Sequence, residues 1–144
     1  MKRILIAGVG LLAVAATVTV LTRWPTINVV ETGNTPEYPD LTPRVYPVSP
    51  ERAFDAALHA VSRLPRWTLI AYDPGRGEIR AEARTRLFRF VDDVLVRIGT
   101  QDGGASVSAR SASRVGKGDF GQNARNVRAL YEELERELQK EHRR

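Results

Sequence analysis

The chain contains no cysteine. That absence removes disulfides, thiolate-bound zinc, covalent haem attachment and thiol nucleophiles from consideration. It also removes the lipidated cysteine of a bacterial lipoprotein. Histidine is almost as scarce: only His59 and His142 are present, and neither falls among the clustered polar residues described below. A strong charge imbalance is lacking too. The formal charge is +5, but Lys2, Arg3 and Arg23 flank an apolar leader, and from Trp24 onward 19 basic residues face 17 acidic ones. That is an ordinary solvated surface, so no nucleic-acid partner is expected. With 144 residues, one domain is expected rather than two.

Long apolar runs are limited to one. Residues 4–22 carry no charge, Lys2 and Arg3 precede them, and Arg23 and Trp24 close them. As a helix the run would span roughly 28 Å, close to the hydrocarbon thickness of a bilayer. The basic end is expected on the cytoplasmic side and the rest of the chain outside, with Trp24 in the interfacial belt. The competing reading is a cleaved signal peptide with a small-x-small site at Ala13-Val-Ala15. Residues 1–23 are therefore assigned to a transmembrane anchor or a signal segment. Both readings place the domain outside the cytoplasm: on a single-pass membrane protein if uncleaved, in the periplasm or exterior if cleaved.

Residues 24–48 are rich in proline, with Pro25, Pro36, Pro39, Pro43 and Pro47. No helix fits, since each proline removes a donor and crowds the preceding turn. Residues 26–30 have the composition of a short strand and residues 38–46 look extended. The expectation is an extended Pro-rich arm lying against the domain, with Tyr38, Asp40, Arg44 and Tyr46 as minor candidates for a site.

Residues 49–144 read as an α+β domain. Ser49-Pro-Glu51 is a helix start, followed by apolar residues at helical spacing from Ala53 to Leu64, and Pro65 stops it. Strands are expected at residues 67–72, 78–86, 91–98 and 105–114. Turns fall at Asp73-Pro-Gly-Arg-Gly77 and Gln101-Asp-Gly-Gly104. A long C-terminal helix follows, capped by Asp119, with Phe120, Ala124, Val127, Leu130 or Tyr131, Leu134 and Leu138 as its buried stripe. The fold class is thus α+β: a helix, a four-stranded antiparallel meander and a long C-terminal helix packed on one sheet face.

Polar residues cluster in two stretches, Leu87-Phe-Arg-Phe-Val-Asp-Asp93 and Arg110-Ser-Ala-Ser-Arg-Val-Gly-Lys-Gly-Asp-Phe-Gly-Gln-Asn-Ala-Arg125. The candidate ligand-binding residues are Asp92, Asp93, Arg110, Arg114, Lys117, Asp119, Asn123 and Arg125. Adjacent aspartates in a strand point to opposite faces, so Asp92 and Asp93 are no automatic catalytic pair. The inward one is expected to meet Arg110, Arg114 or Arg125, because a buried carboxylate needs a partner. Asn123 is expected to bond to the backbone of the glycine turn. Two carboxylates make an incomplete Mg²⁺ or Ca²⁺ shell. Gly116-Lys-Gly118 lacks the spacing of a nucleotide-binding loop. No catalytic residue, metal centre or cofactor is assigned. The pattern suits a structural network first. A small anionic ligand on Arg114, Lys117 and the helix amines comes second, and a carboxylate-dependent enzyme third. The partners expected are the membrane through residues 4–22, and an envelope protein or that anionic ligand.

The runs Tyr38-Pro-Asp-Leu, Phe88-Arg-Phe-Val-Asp-Asp and Ser111-Ala-Ser-Arg-Val-Gly-Lys-Gly-Asp-Phe-Gly-Gln-Asn-Ala-Arg resemble those of domain of unknown function 1499, a family of bacterial and plastid proteins. The resemblance covers about residues 34–138 and implies no established activity. It implies that Asp92, Asp93, Arg114, Gly116, Asp119, Gly121, Asn123 and Arg125 form a family signature. The helix–strands–helix order is also similar to that of domains in the outer-membrane assembly lipoprotein C, a parallel of topology alone. The expected function is that of a membrane-anchored, extracytoplasmic, non-enzymatic scaffold or binding domain.

Overall fold

The computed structural model describes residues 26–141. The leader expected over residues 4–22, anchor or cleaved signal, lies outside the described residues. Among the described residues no helix is long and apolar enough to cross a membrane.

The chain runs β1 (Val29–Glu31), β2 (Arg44–Tyr46), α1 (Pro50–Arg63), β3 (Trp67–Asp73), β4 (Glu78–Arg84), β5 (Val91–Gln101), β6 (Gly104–Ser113) and α2 (Gln122–Glu141). Strands β3 to β6 form the expected antiparallel meander. The sheet nevertheless has six strands, not four. Both β1 and β2 pair antiparallel with the outer edge of β6, Val30 opposite Ser111 and Val45 opposite Ser106. The expectation of an extended Pro-rich arm lying against a four-stranded sheet is therefore corrected: residues 29–31 and 44–46 are strands of the sheet. An open β6 edge would leave a row of unpaired backbone groups. Each short strand supplies partners for part of that row, and Pro36, Pro39, Pro43 and Pro47 all fall outside the paired segments.

Alternation decides which face is buried. Ile79, Ala81 and Ala83 of β4, Val94, Val96 and Ile98 of β5, and Ala105, Val107 and Ala109 of β6 all turn to one side, where both helices pack. The alanines let the helices sit close to the sheet. Helix α1 starts where Ser49 accepts a hydrogen bond from the Arg52 amide, with Pro50 in the first turn. It buries Ala53, Phe54, Ala57 and Val61, and ends before Pro65. Helix α2 buries Ala124, Val127, Leu130, Tyr131 and Leu134.

The segment around β2 is pinned to α2. Arg44 pairs with Glu135 and lies 4.4 Å from the centre of the Tyr131 ring. Asp40 accepts from Arg128 at 2.8 Å. The Tyr131 hydroxyl donates to Val107 O of β6 and to Thr42 O. Asp40 and Arg44 thus hold this segment to the helix.

Candidate functional site

The site is built where β5 begins, β6 ends and α2 starts. Strand alternation turns Asp92 inward, 1% exposed, and Asp93 outward. The two carboxylates fall in different networks on opposite faces of the sheet.

Asp92 belongs to a closed ring of five polar side chains under α2. Its Oδ1 accepts from the Ser113 hydroxyl at 2.7 Å and its Oδ2 from Asn126 Nδ2 at 2.9 Å. Asn126 also donates to Ser111 Oγ at 3.1 Å. Ser111 donates to Asn123 Oδ1 at 2.6 Å, and Asn123 donates to Ser113 Oγ at 2.8 Å, closing the ring. Asn123 also bonds to Asn28 O, and Gln122 donates to Asn126 Oδ1. Every buried side-chain polar atom among the described residues has a partner, as a buried polar cluster requires. Burial is the largest influence on Asp92 and raises its pKa against the lowering effect of Ser113 and Asn126. The expectation that the inward aspartate meets an arginine is corrected: it is held by a serine and an asparagine. These neutral donors cost less to bury than a guanidinium.

Asp93 takes the arginine. On the outer face Arg114 bridges Asp93 and Glu82, with Nε 2.9 Å from Asp93 Oδ2 and NH2 2.6 Å from Glu82 Oε1. The register sets Glu82 directly opposite Asp93, so a cation between them relieves two adjacent acids. Hydrogen bonding from Arg114 lowers the Asp93 pKa, and the charge of Arg110 contributes in the same direction. Both side chains are about half-exposed, so this is a surface cluster.

The β6–α2 connection holds the rest. Asp119 accepts from the Gly121 amide at 2.8 Å and the Asn123 amide at 2.7 Å, capping α2 as expected. A carboxylate already occupies the helix amines that an anionic ligand would have used. The glycine turn is held by Asn28, which donates to Gly116 O at 2.7 Å, and not by Asn123 as expected. Arg125 donates to Phe120 O and to Gln122 Oε1, and Lys117 is exposed. The eight candidate residues therefore do not converge. Asp92 and Asn123 share the inner ring, Asp93, Arg110 and Arg114 share the outer face, Lys117 and Asp119 lie along the connection, and Arg125 is in the first turn of α2.

Above Asp92 lies a groove of about 350 Å³ between two loops, residues 85–90 and 114–121. Asp92 and Ser113 line its base, and Leu87, Phe88, Phe90, Val115 and Phe120 stand around it. Those five are among eight large apolar side chains exposed in the described residues, so exposure is concentrated here. Leu87 is 80% exposed, Phe88 69% and Phe120 63%. Phe88 and Phe90 stack with ring centres 5.5 Å apart. The 85–90 loop is closed by reciprocal bonds: the Thr85 amide donates to Phe90 O, and the Phe90 amide to Thr85 Oγ1. Arg89 and Phe120 adopt positive φ, 54° and 50°, an uncommon conformation for such side chains. Phe120 was expected in the buried stripe of α2. Its left-handed backbone instead presents the ring to solvent. A second cavity of about 370 Å³, at the opposite end beside Phe54, Leu58 and Tyr72, has no such rim.

Sequence reasoning missed Asn126 as a ring member and the apolar rim. The first had a signal: Asn126 stands three residues after Asn123, the spacing that shares a helix face. Among the described residues, no three His, Asp or Glu side chains come together as a metal site would require.

The family described as "Protein of unknown function (DUF1499)" matches residues 19–134. No curated protein matches the chain by sequence. Among solved structures, TTHA0849 from Thermus thermophilus is similar at 12% identity and a TM-score of 0.42, over 78% of this chain and 97% of that one. Ara h 8.0201 is similar at 13% identity and a TM-score of 0.37, over 74% and 94%.

Proposed function

The chain belongs to DUF1499, a family of proteins of unknown function, and from that premise we propose that it is a non-enzymatic binding domain, held at the outer side of the cell membrane by residues 4–22, that takes an apolar or amphipathic small molecule into the groove above Asp92. Support for the anchor comes from sequence: an uncharged run of bilayer length between Arg3 and Arg23. Support for the ligand is one observation, a 350 Å³ concavity lined largely by exposed apolar side chains, with Asp92 and Ser113 also in its lining. The Asp92 ring fixes the base of the groove, and the two hydrogen-bonded loops hold the rim.

Native mass spectrometry of the full chain released from detergent micelles tests this reading, with a single-chain acyl lipid as the probe. One lipid retained per chain, lost in the Phe90→Asp/Phe120→Asp double variant, is the expected result. No retention, or retention unchanged in the double variant, refutes it.

A further inference from the structure

The start of the described chain is stitched to the β6–α2 connection. Ile27 O accepts from the Asp119 amide at 3.1 Å, Asn28 O accepts from the Ser113 amide at 2.8 Å, and Asn28 Nδ2 donates to Gly116 O. A Cβ built on Gly118 would lie 3.8 Å from the Thr26 Cα. Gly116, Gly118 and Asp119 are themselves walls of the groove. Thr26, the first described residue, thus lies beside the apolar rim.

Only Arg23, Trp24 and Pro25 separate Thr26 from the uncharged run that ends at Thr22. Four residue steps reach at most roughly 14 Å. If residues 4–22 span a bilayer, the loop carrying Val115 and Phe120 is tethered within that distance of the end of the span. No other end of the domain is held so close. Strand β5 runs eleven residues, roughly 35 Å, from the rim end toward the turn at Asp102. The charge pattern agrees with this placement. Residues 85–90 and 114–121 contain Arg86, Arg89, Arg114 and Lys117 against one acid, Asp119, whose carboxylate is taken up by the Gly121 and Asn123 amides. Cations set around exposed aromatic and aliphatic side chains match the headgroup-over-hydrocarbon layering of a membrane interface.

We propose that the rim of Leu87, Phe88, Phe90, Val115 and Phe120 is a membrane-docking surface that seats in the bilayer interface beside the leader, with Arg86, Arg89 and Lys117 among the lipid headgroups. This rests on the anchored reading above. It adds an orientation: the sheet stands away from the membrane and the groove opens onto the lipid. Two of the four non-glycine residues at positive φ among the described residues, Arg89 and Phe120, lie in these loops, and Phe120 is exposed there.

The absence of cysteine makes the test clean. The full chain is reconstituted in phosphatidylcholine–phosphatidylglycerol vesicles as single-cysteine variants Trp24→Cys, Phe88→Cys, Phe120→Cys and Asp102→Cys. Each carries an environment-sensitive fluorophore, and quenching by spin labels on the lipid acyl chains is read. Strong quenching at positions 24, 88 and 120, several-fold above that at 102, is expected. Quenching at 24 without quenching at 88 and 120 overturns the docking surface and leaves the anchor standing. No quenching at any of the four overturns the anchored reading and the docking surface with it. Equal quenching at 102 and 88 overturns the orientation. Self-quenching between labels at position 88 of two chains, without lipid quenching, assigns the rim to a second copy and also overturns the proposal.

Discussion

Asp92 is held against two opposing influences, burial that favours its protonated form and two hydrogen bonds that favour its charged form. Burial is the larger. The folded chain therefore binds this proton more tightly than the unfolded chain. Asp92 costs stability as pH rises from the ordinary carboxylate value, 3.8, through its raised value. Asp92→Asn keeps a polar amide in the ring and removes the titration. Its stability relative to the parent is expected to rise with pH across that window, as urea unfolding at several pH values will read. Asp93 has the opposite sign: its pKa is lowered, so its contribution is present above 3.8 and lost as pH falls through the lowered value. That contribution is small, because its pairing with Arg114 is exposed. Asp92→Ala leaves the Ser113 hydroxyl and the Asn126 amide each short of an acceptor. A loss of about 1–3 kcal/mol in urea unfolding is expected. At this scale the sequence carried the separation of the two aspartates, because strand alternation alone dictates it. It did not carry the identity of their partners. A serine, an asparagine and an arginine can all satisfy a carboxylate, and the choice depends on which helix turn packs above the strand.

Among the elements, β3 to β6 and both helices were legible, since each is long enough to display its period and is bounded by proline, glycine or a capping residue. Strands β1 and β2 were not legible as sheet members. Three residues display no alternation, and their partners on β6 lie more than fifty residues away in sequence. For β2 the pairing brings the backbones close. A Cβ on Gly104 would stand 2.3 Å from Tyr46 O, a contact that real side chains do not make. Gly104→Ala is expected to displace β2 from β6, at about 1–3 kcal/mol. Hydrogen exchange will show protection lost over residues 44–46 and retained in β4 and β5. Unchanged protection in β2 would mean that this edge pairing does not depend on Gly104. The loops holding the rim were read from sequence as part of a polar cluster. Leu87, Phe88 and Phe120 carry no mark that separates an outward apolar side chain from a buried one. For Phe120 the helical spacing to Ala124 and Val127 pointed inward, and the positive φ reversed it.

Over the described residues, one end concentrates exposed apolar side chains, the positive-φ residues Arg89 and Phe120, a buried carboxyl and the first described residues of the chain. The rest is a well-satisfied α+β core with paired surface charges. Stability and binding are therefore expected to separate on substitution. Asparagine adopts positive φ more readily than phenylalanine, so Phe120→Asn is expected to leave stability unchanged or raised, by up to about 1 kcal/mol. Acyl-lipid retention in native mass spectrometry should meanwhile fall roughly tenfold, about 1.4 kcal/mol of affinity. Joint loss of stability and retention would place Phe120 in the core instead. The most direct measurement is a crystal structure of the full chain with a bromine-tagged acyl lipid, the bromine located by its anomalous signal. The account predicts a peak between the 85–90 and 114–121 loops, above Asp92. A peak confined to the second cavity beside Phe54 and Tyr72, or no peak at a saturating ligand concentration, would contradict it.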